Sequence, residues 1–209
     1  MSILQAMLHA SRKVRMKPEN KWDFESVRAV VRSAIRKLLK EPKLLDFQIN
    51  ERTLTQRLSM RLQPAFHPLF VDCEYNRMWT EQGDRVKRLR WRAELTRTDD
   101  INGNTVYPDI VVHKRGTQAE NRLVIEAKRR GSTLAKGHKD YRKLCAFTNP
   151  KGLFHYNLGA HLYFRRNGHG RARCHIVWFA RGDVTGVTDD VDNVTASFRN
   201  PCAPALRKM

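Results

Sequence analysis

Pro108-Asp109-Ile110-Val111-Val112, followed by Leu123-Val124-Ile125-Glu126-Ala127-Lys128, carries the fold of this chain. Tyr107 to His113 predicts an apolar strand, Lys114-Arg115-Gly116 a turn, and Arg122 to Lys128 a second apolar strand. Strands joined by a short polar connection most simply form an antiparallel pair. The run from Leu123 is nearly continuous in apolar residues, as expected of a central strand covered on both faces. Glu126 and Lys128 interrupt it, two residues apart and therefore on one face. Charges at the end of such a strand are costly unless paired or bound to a cation. The plainer alternative is a Glu–Lys surface pair, because that spacing is common by chance.

Such a pair could serve phosphodiester hydrolysis, although on charge spacing alone the surface pair is the better reading. That reaction needs a divalent cation to neutralise the phosphate and acidify a bound water. Mg2+ takes hard oxygen ligands, usually one or two carboxylates with waters and substrate phosphate. Asp109 and Glu126 supply the carboxylates if their strands are neighbours, and the Ala127 carbonyl is a further oxygen. Lys128 then stands beside the cation, where its ammonium can orient or help deprotonate the attacking water and stabilise charge on phosphorus.

Outward from these strands, helices and further strands alternate. Trp22 to Lys40 predicts a helix with Val27, Val30, Val31, Ala34, Ile35, Leu38 and Leu39 at helical spacing and a basic opposite face. A second helix is expected from about Asn50 to Gln63, stopped by Pro64, with Leu54, Leu58 and Leu62 as its stripe. Glu51 points into the same sector as those leucines. On local grounds it is a first-turn glutamate favoured by the helix dipole. Leu69 to Arg77 reads as one alternating strand, and Trp91 to Leu95 as a short one. Residues 135–148 look helical, and strands are expected at about Gly159 to Arg165 and Ala172 to Phe179, with a turn at residues 166–170. The sequence divides into a basic N-terminal arm and helix (1–45), a core (46–180) and a polar, weakly ordered tail from Arg181 (181–209).

Charge narrows the partner. The 209 residues carry 40 Lys and Arg against 21 Asp and Glu, a net +19. That surplus points to a polyanion, nucleic acid first and an anionic membrane a distant second. No stretch reaches the ~18 apolar residues of a membrane helix, and no secretory signal is visible. Cys73, Cys145, Cys174 and Cys202 form no C-x-x-C pair, which suggests reduced thiols and a cytoplasmic location.

Glu51 on its helix, Glu74-Tyr75-Asn76-Arg77, Pro108-Asp109-Ile110-Val111-Val112-His113, Val124-Ile125-Glu126-Ala127-Lys128 and Asp140-Tyr141-Arg142-Lys143-Leu144 together resemble the PD-(D/E)XK nuclease superfamily. They are most similar to a bacterial and phage branch whose members mostly lack an assigned role. The resemblance covers about Asn50 to Phe164 and implies a restriction-endonuclease-like α/β fold, a small mixed sheet flanked by helices. It implies Asp109 and Glu126 as ligands of Mg2+ or Mn2+, with Ala127 contributing its carbonyl, Lys128 as the catalytic lysine, and Glu51 as the helix glutamate completing the site. Glu74 would hydrogen-bond within the site or pair with Arg77. Lys143 either matches a basic position of the superfamily or sits on a solvated helix face. His113 and Arg115 are rim residues, or His113 is structural. The implied activity is metal-dependent endonucleolytic cleavage of nucleic acid, DNA first, with a homodimer suited to cutting both strands. The alternatives are a nucleic-acid-binding subunit that cuts slowly or not at all, and an RNA-directed nuclease.

Overall fold

The computed structural model describes residues 22–41, 50–80, 83–89, 104–129, 139–166 and 171–192. The helices are α1 (Phe24–Leu39), α2 (Glu51–Phe66) and α3 (Lys139–Thr148). The strands are β1 (Phe70–Cys73), β2 (Arg77–Thr80), β3 (Gly83–Val86), β4 (Arg88–Leu89), β5 (Asn104–Thr105), β6 (Ile110–His113), β7 (Leu123–Arg129), β8 (Leu158–Arg166), β9 (Ala172–Ala180) and β10 (Asp183–Asp192). The N-terminal arm, the expected strand at Trp91 to Leu95, the start of the third helix before Lys139, the turn at 167–170 and residues 193–209 lie outside the described residues.

A six-stranded mixed sheet in the order β1-β6-β7-β8-β9-β10 organises the chain, which is therefore α/β. The expected β6–β7 pair is antiparallel, with Ile110 opposite Ile125 and Val112 opposite Leu123. Only β7 and β8 run parallel among the pairs of this sheet, and α3 lies on the connection between them.

The two faces of β7 diverge by the strand's period of two. Leu123, Ile125 and Ala127 enter the larger core cluster with the apolar stripes of α1 and α2. Val124 enters a second cluster with Tyr141, Leu144 and Phe147 of α3. Each fully buried leucine, such as Leu58 and Leu62 of α2, contributes about 1.5–3 kcal/mol.

Local signals start both long helices. Asp23 caps α1 by accepting from the Ser26 N–H at 2.7 Å, and Asn50 caps α2 by accepting from the Thr53 N–H at 2.7 Å. The second cap fixes Glu51 as the first residue of α2. Pro64 does not stop α2, which continues to Phe66. A proline removes one N–H and leaves the carbonyl four residues back without its helical donor. Here that residue is the exposed Met60, where water can serve, while Phe66 gains a fully buried place.

Two further expectations are corrected. Leu69 to Arg77 is not one strand: β1 ends at Cys73, Glu74 takes a left-handed φ of 50°, and Arg77 opens β2, which pairs with β3 in a separate sheet. The polar tail is, as far as Asp192, the edge strand β10 on β9. Asp189 on β10 is buried and accepts from Arg28 Nε at 2.7 Å, Arg28 Nη2 at 2.8 Å and Trp178 Nε1 at 2.9 Å. Burial pushes its pKa up, but the bonds from Arg28 and Trp178 outweigh it and hold the carboxylate below its usual range. Val191 and α1 share the larger cluster, so α1 and β10 belong to the same core as residues 46–180.

Candidate active site

Asp109 stands one step beyond the paired Ile110 and Ile125, which brings it next to Glu126 across the β6–β7 ladder. The strand pairing has ended there, and the Ala127 N–H donates to Asp109 Oδ2 at 2.7 Å instead of to a strand carbonyl. A strand residue points its N–H and C=O to the same side, so the Ala127 carbonyl faces the same gap.

Glu126 is 1% exposed. Its Oε2 accepts from Lys143 Nζ at 3.1 Å, while Oε1 is buried with no hydrogen-bond partner among the described residues. Burial and then the Asp109 carboxylate push the Glu126 pKa up to about 8, against the opposing pull of Lys143. Burial likewise raises Asp109, which the Ala127 N–H only partly offsets. A buried carboxylate beside a half-buried one, with one orphaned oxygen, forms a site short of positive charge.

Lys128 projects from the same face of β7 as Glu126 and donates to Glu51 Oε2 at 3.1 Å. Its Nζ is 3.8 Å from Asp140 Oδ2. Burial lowers its pKa, but Asp140 and Glu51 outweigh that and the net shift is upward. Lys128 is therefore held as an ammonium, suited to stabilising negative charge.

Glu51 meets the strand end at two points, the Lys128 ammonium and the Arg129 N–H, which reaches Oε1 at 3.2 Å. Glu51 is turned to Lys128 and Arg129, and among the described residues no group of three or more His, Cys, Asp or Glu side chains is placed to hold a metal ion. The reason is electrostatic, since Glu51 gains more from an ammonium and a peptide N–H than from approaching two carboxylates.

Oxygen donors of the kind a hard divalent cation takes are the Asp109 carboxylate, the Glu126 carboxylate through its orphaned Oε1, and the carbonyl of Ala127. Mg2+ or Mn2+ held there would acidify a water and screen a phosphate. Around it, Lys128 would hold charge at the phosphate, Glu51 would aim Lys128, and Lys143 would hold Glu126 in place.

Lys143 is a half-buried member of this group and not a solvated lysine, 3.1 Å from Glu126 and 3.4 Å from Asp140. Sequence reasoning gave Asp140 no role. It is buried on α3, three residues before Lys143 and so on the same helix face, and it lies near both lysines. Its spacing to Lys143 was the available signal. His161, 2% exposed on β8, is in register with Glu126 on the parallel neighbour and packs edge-on to Tyr141 at 5.1 Å. Nothing in the sequence announces that register.

The expected rim residues separate: Glu74 stays beside Asp109, while His113 and Arg115 turn to Asp72. The Glu74 N–H donates to the Asp109 carbonyl at 3.2 Å, but its carboxylate pairs with Arg52 at 2.8 Å and not with Arg77. His113 closes β6 and Arg115 follows in the turn, and both converge on Asp72, with His113 Nε2 at 2.9 Å and Arg115 Nε at 2.8 Å. Asp109 and His113 are four residues apart, about 13 Å along a strand. Burial raises Asp72, and the bonds from His113 and Arg115 more than reverse it, so its pKa is depressed.

Searches against protein-family models, curated proteins and solved structures find no match to this chain.

Proposed function

We propose that this chain is a metal-dependent nuclease of restriction-endonuclease-like fold that hydrolyses phosphodiester bonds in nucleic acid, with DNA as its first substrate. The observation that carries the reading is the placement of the Asp109 and Glu126 carboxylates side by side where the β6–β7 ladder ends, with an ammonium held on the same face at Lys128. A buried carboxylate oxygen without a partner at Glu126 supports a cation there. The net charge of +19 supports a polyanionic substrate held through its backbone.

A second reading has its own observation. Glu51, Lys128, Asp140, Lys143 and Glu126 form a chain of alternating charges in which every carboxylate already has an ammonium neighbour. A nucleic-acid-binding subunit of the same fold would look the same.

One experiment separates them. Plasmid, linear duplex, single-stranded DNA and RNA are incubated with Mg2+, with Mn2+ and with chelator, using the wild-type protein and Lys128→Ala. The nuclease reading expects metal-dependent cleavage that drops by about 10²–10³ in Lys128→Ala, the size of a lost charge-stabilising donor, while the variant stays folded by circular dichroism. Binding without cleavage under every condition gives the second reading. Cleavage by folded Lys128→Ala at the wild-type rate sinks the assignment of Lys128.

A further inference from the structure

A notch on the face of the sheet covered by α3, partly open to solvent, is lined by Tyr75, Arg77, Lys87, His113, Gly116 and Asn121, and its His113 wall stands about 13 Å along the strand from Asp109. It is distinct from the carboxylate site, and the nuclease chemistry uses none of these side chains.

Lys87 is the notable member, 2% exposed. Its backbone is pinned on both sides: its N–H donates to the Asn76 carbonyl and its carbonyl accepts from the Val106 N–H at 3.0 Å. Its Nζ donates to the Tyr75 carbonyl at 3.1 Å and meets the Tyr156 hydroxyl at 2.9 Å. The amine lies 4.9 Å from the Tyr75 ring centroid and 5.4 Å from that of Tyr156. A lysine ammonium has three donors. In the protonated form those two oxygens leave one N–H without a partner among the described residues, on a side chain that lines the notch.

The lining contains cationic groups and no carboxylate. Asp72, which lies near enough to pull the Lys87 pKa up, is turned to His113 and Arg115. Burial nevertheless dominates and brings Lys87 down to about 7, so the amine is short of a counter-charge. At the mouth, Gly116 has a left-handed φ of +76°, and nothing stands within 4 Å of where its Cβ would be. The space beside the turn is open to a ligand.

We propose that this notch is an anion site that takes one phosphate group of a nucleic-acid strand. The choice of a nucleic-acid phosphate rests on the nuclease reading, whereas the anion site rests on the notch geometry. Lys87 supplies its unfilled N–H, Arg77 supplies charge at the mouth, and the strand is thereby held at a point distant from the carboxylates. The site would set how a strand lies across the sheet without touching the reacting phosphate.

The test is calorimetric titration of the full chain with inorganic phosphate, using wild type, Glu126→Gln, Lys87→Met and Arg77→Gln. Wild type and Glu126→Gln bind alike, and Lys87→Met and Arg77→Gln each bind about tenfold or more weakly, as loss of a charge-assisted hydrogen bond requires. Arg77 is exposed, so its variant decides the matter if Lys87→Met does not fold. Absence of phosphate binding by wild type, or binding that Arg77→Gln leaves intact, overturns the anion site. A single-stranded oligonucleotide forms the second arm. If Arg77→Gln weakens phosphate but not the oligonucleotide, the notch takes free phosphate and the nucleic-acid assignment falls. If the wild type cuts nothing yet phosphate binds as described, the nuclease reading fails and the anion site stands.

Discussion

Lys143 on α3 donates to the buried carboxylate of Glu126 on β7, 3.1 Å from Nζ to Oε2. The same ammonium is 3.4 Å from Asp140, so it is the resident counter-charge of the carboxylates. Burial lowers its pKa, but Glu126 and Asp140 more than compensate and keep it charged. Lys143→Met therefore leaves the buried Glu126 carboxylate without its ammonium. In chelator it should lower stability by about 3 kcal/mol, the size of a broken buried pair. A divalent cation can replace the lost charge, so Mn2+ should raise the melting temperature more in the variant than in wild type. An equal Mn2+ increment in both proteins would place the cation away from Glu126.

Asp109→Asn separates the structural role of Asp109 from its ligand role. An amide oxygen can still accept the Ala127 N–H, so the cost to stability should stay within about 1 kcal/mol. As a ligand the neutral amide is poorer. Mn2+ affinity, read by calorimetry, should fall by about tenfold or more, and metal-dependent cleavage with it. Unchanged affinity would remove Asp109 from the ligand set.

Asp189→Ala tests whether β10 is part of the core. The substitution strips Arg28 of a bidentate partner and leaves Trp178 Nε1 without its acceptor. The expected loss is roughly 3 kcal/mol in the urea midpoint analysis. A change within about 0.5 kcal/mol would be that of an ordinary surface position.

The strands that carry Asp109 and Glu126 were legible because each is an apolar run bounded by turn residues, and α1 and α2 because their stripes repeat at helical spacing. β10 was not, because its acidic residues look solvated until Arg28, 161 positions earlier, is seen to meet Asp189. Glu51 was placed inward by periodicity, which gives a direction but not the partner met there. His113 and Arg115 looked like rim residues because they are close to Asp109 in sequence, yet an extended strand carries them away from it. Lys87 sits in a polar, basic stretch with no periodic signal, and its burial depends on Tyr75 and Tyr156 from other segments.

Lys87 also gives a pH dependence. Burial brings its folded pKa from 10.5 to about 7. Between those values the unfolded chain binds more protons than the folded one, so this group makes stability rise with pH across that window. Its contribution is full above the unfolded value and lost as pH falls to about 7. The accessible part lies below pH ~9, where cysteine thiols begin to titrate. Lys87→Met should flatten the rise between about pH 7 and 9 in urea denaturation, a difference on the order of 2 kcal/mol at most. Parallel profiles for the two proteins would mean that Lys87 keeps its charge in the folded state.

Glu51→Gln asks whether Glu51 acts on the cation or through Lys128. The glutamine can still accept the Arg129 N–H, but the ion pair with Lys128 is lost. Glu51 is 42% exposed and Lys128 26%, so water screens the pair and the stability cost should be under about 1 kcal/mol. Had Glu51 crowded Asp109 and Glu126, its neutralisation would have stabilised the metal-free protein. With Lys128 as its partner, the variant should be slightly less stable in chelator and with Mn2+ alike. Cleavage should slow because the ammonium is no longer aimed, by about tenfold for a displaced charge-stabilising group. Mn2+ affinity should not change, since the ligands are untouched. Thermal melts, calorimetry with Mn2+ and the plasmid assay on the same preparations make the distinction. Slower cleavage at unchanged Mn2+ affinity identifies Glu51 as a positioning residue for Lys128. A parallel fall in affinity would put the Glu51 carboxylate on the cation in the loaded protein.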